Sequence, residues 1–169
     1  MGCESWRLCT PIAAPPARCF GLARDVELHT RSLASSGERA VAGVTCGLLV
    51  LGDSVTCEGR HPGVRQRLTA RITNYERPHF FVDEQVVGAF DWFRHTHLFA
   101  PDGAGTIMIA RFVFAVPLGP LGLLAERLFL ARYMRRLLYE RALVLKAAAE
   151  RGEWAEAYHD NVDEYPARR

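Results

Sequence analysis

The chain has 169 residues, 49% of them apolar and 24% charged, which suits one globular domain with a sizeable core and excludes wholesale disorder. Its 21 basic and 19 acidic residues leave a net charge of +2, too little to form a broad footprint for nucleic acid or an anionic membrane. The longest uncharged runs, 40–52 and 112–125, fall short of the roughly 20 residues of a spanning helix, so no integral membrane association is expected. Residues 6–12 read as a first strand. Pro15 and Pro16 suit a helix start, giving a short helix over 17–24, and Asp25 is a good N-cap for a second over 26–33. Ser35, Ser36 and Gly37 break it.

Six strand-length runs follow: 40–51, 54–60, 66–75, 80–87, 92–99 and 106–116. They are separated by turn residues, among them Gly52-Asp53, Arg77-Pro78, Gly88 and Pro101-Asp102-Gly103, and their spacing suggests an antiparallel meander. Leu68, Ala70 and Ile72 alternate with polar residues, as do Phe93, His95, His97 and Phe99, so one sheet face is expected buried and the other wet. Beyond Pro117-Leu118-Gly119-Pro120, residues Leu121, Leu124, Leu128, Ala131, Leu138, Ala142 and Leu145 recur at helical spacing. Arg127, Arg132, Arg135, Arg136 and Arg141 take the other side, read as a solvated face. Gly152 ends this long helix, leaving one domain over 1–152 and a polar, acidic tail over 153–169. A long helix with no partner helix must bury its stripe on the sheet, and a curved sheet around it leaves an apolar hollow, a default ligand site.

The five cysteines (Cys3, Cys9, Cys19, Cys46, Cys57) form no C-x-x-C pair, which argues against a disulfide scaffold or zinc knuckle and fits a reducing, cytoplasmic setting. Cys46 and Cys57 read as small core residues on strands. Gly2 and Cys3 invite a lipidation reading, but Trp6 stands where the myristoylation pattern wants Ser or Thr. Twenty arginines against the single Lys146 point to a GC-rich, bacterial genome. No P-loop, G-x-S-x-G or dinucleotide-binding glycine motif is present, so no cofactor is expected.

The string Arg71-Ile72-Thr73, Pro78, Phe81-Val82-Asp83-Glu84-Gln85, Gly88 and Phe90 resembles a stretch common in SRPBCC proteins, the START-like, helix-grip superfamily that includes polyketide cyclases and the birch-pollen allergens. The resemblance continues through His95-Thr96-His97-Leu98-Phe99, Asp102-Gly103 and Pro117-Leu118-Gly119-Pro120-Leu121-Gly122, and covers 5–149. It implies an α+β helix-grip fold: a seven-stranded curved antiparallel sheet around a long C-terminal helix, with two short helices after the first strand. It also implies an apolar ligand such as a lipid, isoprenoid, quinone or polyketide. The superfamily has no universal catalytic set to carry over, and fold alone does not fix function.

Candidate residues come from the strands. His95 and His97 share a face with Phe93 and Phe99; turned into the hollow, either imidazole is a proton carrier or polar anchor. Their H-x-H spacing permits a metal, but no third ligand falls into an obvious pattern, and no metal is expected. If Gly88-Ala89 forms a two-residue hairpin, Asp83 falls opposite Arg94 as a surface pair and Glu84 joins His95; a three-residue turn would place Asp83 with His95 instead. The shorter turn is preferred, which makes Glu84 the candidate acid-base partner. Arg111, turned inward, would bind a ligand carboxylate or enolate; turned outward, the favoured orientation, it is one more solvated arginine. Tyr75 and Trp92 are candidates for the cavity mouth, and Leu124 and Leu128 for its helical wall. The leading expectation is a soluble binding or transport protein for a hydrophobic small molecule. The alternative is an aromatase/cyclase-like enzyme relying on Glu84, His95, His97 and Arg111.

Overall fold

Asp25 carries out the capping role expected of it: its carboxylate accepts from the Leu28 backbone N–H at 2.8 Å, starting a helix with a free side-chain acceptor in place of a missing carbonyl. The computed structural model describes residues 3–61, 64–115 and 123–153. In chain order these form β1 (Cys3–Ile12), α1 (Pro16–Ala23), α2 (Val26–Ser32), β2 (Arg39–Gly43), β3 (Ser54–His61), β4 (Val64–Glu76), β5 (Phe80–Val87), β6 (Trp92–Asp102), β7 (Gly105–Ala115) and α3 (Leu123–Glu150). The strands make one seven-stranded sheet in the order β1-β7-β6-β5-β4-β3-β2, antiparallel at every pairing. This is the helix-grip architecture expected from the sequence, with two short helices after the first strand and a long helix at the end. The corner at 117–122 and the tail beyond 153 lie outside the described residues.

The strand expected over 40–51 ends early. β2 stops at Gly43, whose φ of 72° falls in the left-handed region that favours glycine. Residues 44–53 form a loop laced to the α1–α2 junction: Leu49 N–H donates to Arg24 O at 3.1 Å, and Val26 N–H to Gly47 O at 3.0 Å. Its apolar residues, which mimic a strand in sequence, pack as loop side chains, and Leu49 joins two core clusters. Cys46 is exposed in this loop rather than buried on a strand, whereas Cys57 is buried on β3 as expected.

The concave face of the sheet carries the alternation read from sequence. Phe93, His95, His97 and Phe99 on β6, with Met108, Ala110, Phe112 and Phe114 on β7, are all buried. A register shift between Ile72 and Asn74 on β4 changes the alternation there, so Tyr75 turns inward against Phe20, 5.3 Å between ring centroids. At the far end of α3, Ala148 and Ala149 are fully buried with Phe20, Phe81 and Phe99 in the main cluster. Side chains this small let the helix lie close to α1 and β1. The nearer half of α3 packs Leu130, Met134 and Leu138 toward a second cluster of Phe93, Phe112 and Phe114. Between these two packed regions the interior stays open.

Candidate functional site: a cavity with a buried polar floor

A cavity of about 590 Å3 lies between the concave face of the sheet, α2 and α3, within the size range of small-molecule sites. Its walls include Leu49, Val55, Leu68, Phe93, Leu130 and Leu137. Into this apolar space the fold brings two polar groups that are remote in sequence.

The first is built on β5 and β6. Asp83 pairs with His95 in register, and its Oδ1 lies 3.0 Å from His97 Nε2 and 3.8 Å from His95 Nδ1. The two imidazoles are 3.9 Å apart between centroids, and His97 stacks on Phe81 at 4.2 Å. Burial, reinforced by the neighbouring His97, holds His95 well below the ordinary histidine range; burial and Arg141 do the same to His97. Both rings are therefore neutral near pH 7. His95 Nε2 is buried with no hydrogen-bond partner among the described residues.

The second group centres on Glu38. His29 Nε2 lies 3.5 Å and His61 Nε2 3.2 Å from its carboxylate, and His61 Nδ1 is 2.9 Å from the Tyr133 hydroxyl on α3. Burial pushes the Glu38 carboxyl up, but the bonds from His29 and His61 outweigh it and bring it down to about 2. Burial raises the nearby Cys57 thiol to about 12, so it stays protonated and is no ready nucleophile.

Arg141 stands beside both groups. It lines the cavity, and its guanidinium donates to Ala23 O at 3.2 Å; its positive charge helps keep His29, His95 and His97 unprotonated. Arg141 does not sit on a solvated helix face as expected: it is the last of the described α3 residues, beginning at Phe129, that line the hollow. Arg24, also on the wall, is 2% exposed, donates to Leu49 O at 2.7 Å and lies over the rings of Phe20 and Tyr75.

Several expected site residues lie elsewhere. The register Asp83–His95 and Glu84–Arg94 is that of the longer turn, so Glu84 faces away from the histidines and forms a half-exposed pair with Arg94 at 3.6 Å. Arg111 is exposed on the outer face of β7, between Arg7 and Thr96 in register. Trp92 is 43% exposed and outside the cavity wall. Tyr75 packs on Phe20 and Arg24 rather than at a mouth. Phe93 and His95 do line the cavity, while His97 lies behind His95, bonded to Asp83. The side chains of Leu124 and Leu128 lie outside the described residues.

Residues of metal-ligating type also meet here. Asp83, His95 and His97 place ligand atoms within 4.8 Å of one another, as do His29, Glu38 and Cys57. The carboxylate absent from the H-x-H pattern is thus supplied across the sheet. The Arg141 charge beside both sets opposes a cation.

The sheet and long helix place the chain among known folds. The Zhui aromatase/cyclase from Streptomyces sp. R1128 superposes with a TM-score of 0.72 at 15% identity, covering 91% of this chain and 98% of that one. The protein TTHA0849 from Thermus thermophilus gives 0.67 at 20% identity, over 86% and 99%. The ginseng major latex-like protein 151 from Panax ginseng gives 0.63 at 11%, over 87% and 97%. At these identities the likeness concerns the fold. No curated protein matches the chain. No helix among the described residues is long and apolar enough to cross a membrane. The family model described as polyketide cyclase / dehydrase and lipid transport matches residues 9–150, and the chain belongs to that family.

Proposed function

We propose that this protein binds or carries a hydrophobic small molecule, of the lipid, isoprenoid, quinone or polyketide type, in the cavity between the sheet and α3. The observation that carries this reading is the roughly 590 Å3 hollow walled by aliphatic and aromatic side chains. Its aliphatic and aromatic walls gain from an apolar occupant, while the polar floor can meet one polar end of it. The family's range, polyketide chemistry and lipid transport, supports the same reading. The test is titration with 1-anilinonaphthalene-8-sulfonate. One probe should bind per chain and be displaced by apolar competitors, and Ala70→Trp, which fills the wall, should abolish binding without loss of fold. Binding that survives the filled cavity overturns the reading.

One feature favours a second reading, an aromatase/cyclase-like enzyme. His95 presents an unpartnered Nε2 in the cavity wall with Asp83 and His97 behind it. In an enzyme that imidazole would move a proton at an enolisable substrate carbon. Of the residues expected for such a role, His95 and His97 remain, Asp83 takes the place of Glu84, and Arg111 drops out. His95→Ala would abolish turnover of a poly-β-keto substrate in an enzyme and merely adjust affinity in a carrier.

A further inference from the structure

The anionic-oxygen anchor sought in Arg111 has a better candidate on α3. We propose that the cavity's ligand is an apolar acid whose carboxylate docks on the guanidinium of Arg141; this rests on the reading of the cavity as an apolar-ligand site.

The first observation is an unfinished hydrogen-bond set. A guanidinium carries five N–H donors and stays charged, yet the one hydrogen bond of Arg141 to a described residue is from Nη2 to the Ala23 carbonyl at 3.2 Å. The side chain is part-buried, and burial works against its charge while Asp83 and Glu38 support it only through space; a directly bonded anion would complete the set.

The second is that the protein's own carboxylates are engaged elsewhere. Asp83 is bonded to His97 at 3.0 Å. Glu38 is held between His29 and His61 at 3.5 and 3.2 Å. Among the described residues no carboxylate lies within 4.0 Å of Arg141. Arg24, on the same wall, also lacks an acidic partner among them, but its guanidinium is covered by the rings of Phe20 and Tyr75 and donates to Leu49 O at 2.7 Å. Arg141 has no such ring cover among the described residues.

The third is position. Arg141 lies on the α3 face that carries Leu137 and Leu138 into the cavity wall, so a ligand reaching it must lay an apolar body along that wall. His95, with its buried and unpartnered Nε2, is a further open hydrogen-bonding atom on the wall; the other one, Arg24 Nε, belongs to a guanidinium packed over Phe20 and Tyr75. An apolar body with one acidic head matches this layout; a fully apolar molecule leaves Arg141 as it stands.

The experiment compares dodecanoic acid with methyl dodecanoate by isothermal titration calorimetry on the full chain at neutral pH. The acid should bind at least about tenfold more tightly than the ester, the usual scale for a charge-assisted hydrogen bond. Arg141→Gln should erase that preference while leaving ester affinity within about twofold. Arg141→Lys should keep a reduced preference, since an ammonium retains the charge but not the fork. Arg111→Gln, on the outer face, should match the wild type. Equal affinity of acid and ester in the wild type overturns the inference and leaves the apolar-ligand reading standing. That comparison needs no variant, should the glutamine protein fail to fold. A preference that persists in Arg141→Gln, or is untouched by both variants, also overturns it. Binding of neither compound overturns this inference together with the reading beneath it.

Discussion

Asp83 stands opposite His95 in the β5–β6 register, yet its close contact, 3.0 Å, is with His97 two residues further along the strand, while His95 Nδ1 lies 3.8 Å away. The diagonal is possible because side chains at i and i+2 share one face of the sheet. One carboxylate thereby supports two buried imidazoles. It orients His97 directly and leaves His95 free to present its other nitrogen to the cavity wall.

Asp83→Ala is expected to destabilise the protein by about 1–3 kcal/mol, because it strands a buried imidazole without its partner. Asp83→Asn, which keeps an acceptor oxygen, should cost less. Urea unfolding of both variants against the wild type measures the difference, and equal stability of Asp83→Ala and wild type would count against a structural role for the bond.

Stability should fall on mild acidification. Burial holds the folded His95 and His97 well below the ordinary value of 6.5, so below that pH the unfolded chain binds more protons than the folded one. Their contribution is complete above about 6.5 and is lost as pH drops, with a slope of about 1.4 kcal/mol per pH unit for each histidine. Glu38 acts in a lower window. Its folded value of about 2 against an ordinary 4.5 gives stability that is present above 4.5 and lost as pH falls toward 2. Thermal unfolding in a series of buffers should show a flat midpoint above neutrality and a decline beginning near 6.5; a midpoint constant down to about pH 5 would contradict the neutral, buried histidines.

Glu84→Ala and Arg111→Ala should each change stability by less than about 0.5 kcal/mol, since the first is half-exposed in a surface ion pair and the second exposed, both on the outer face. Neither should alter binding of an apolar probe. A large effect of either on binding would mean that the outer face takes part in the site.

The close approach of α3 to α1 and β1 depends on Ala148 and Ala149, both fully buried. Ala149→Leu should force the helix outward and destabilise by about 1–3 kcal/mol, the usual range for overpacking. Calorimetric unfolding tests this, and an unchanged midpoint would show that the contact is loosely packed.

Much of the fold was legible because it follows short-range rules. The Asp25 cap, the inward alternation of β6 and the helical stripe of α3 are each written within a few residues. The loop over 44–53 was not, since its valines and leucines look like a strand until Gly43 and Gly47 turn the chain back onto Arg24 and Val26. In the site, His95 and His97 could be found from spacing alone. Their partner could not: whether Asp83 or Glu84 faces them depends on one residue of turn length between β5 and β6, and a slip of one reverses every side chain. Arg141 was hidden for a different reason. It sits in a helix whose other arginines, Arg132, Arg135 and Arg136, carry no mark to separate a cavity-facing charge from exposed ones. Glu38, His29 and His61 come from three separate stretches of chain and meet only once it has folded.

The most direct test of the cavity's role is native mass spectrometry of the full chain, freshly purified and again after incubation with dodecanoic acid. A binding protein is expected to show one ligand per chain, as an added mass of a few hundred daltons that denaturing solvent releases. The bare polypeptide mass in both samples would contradict it.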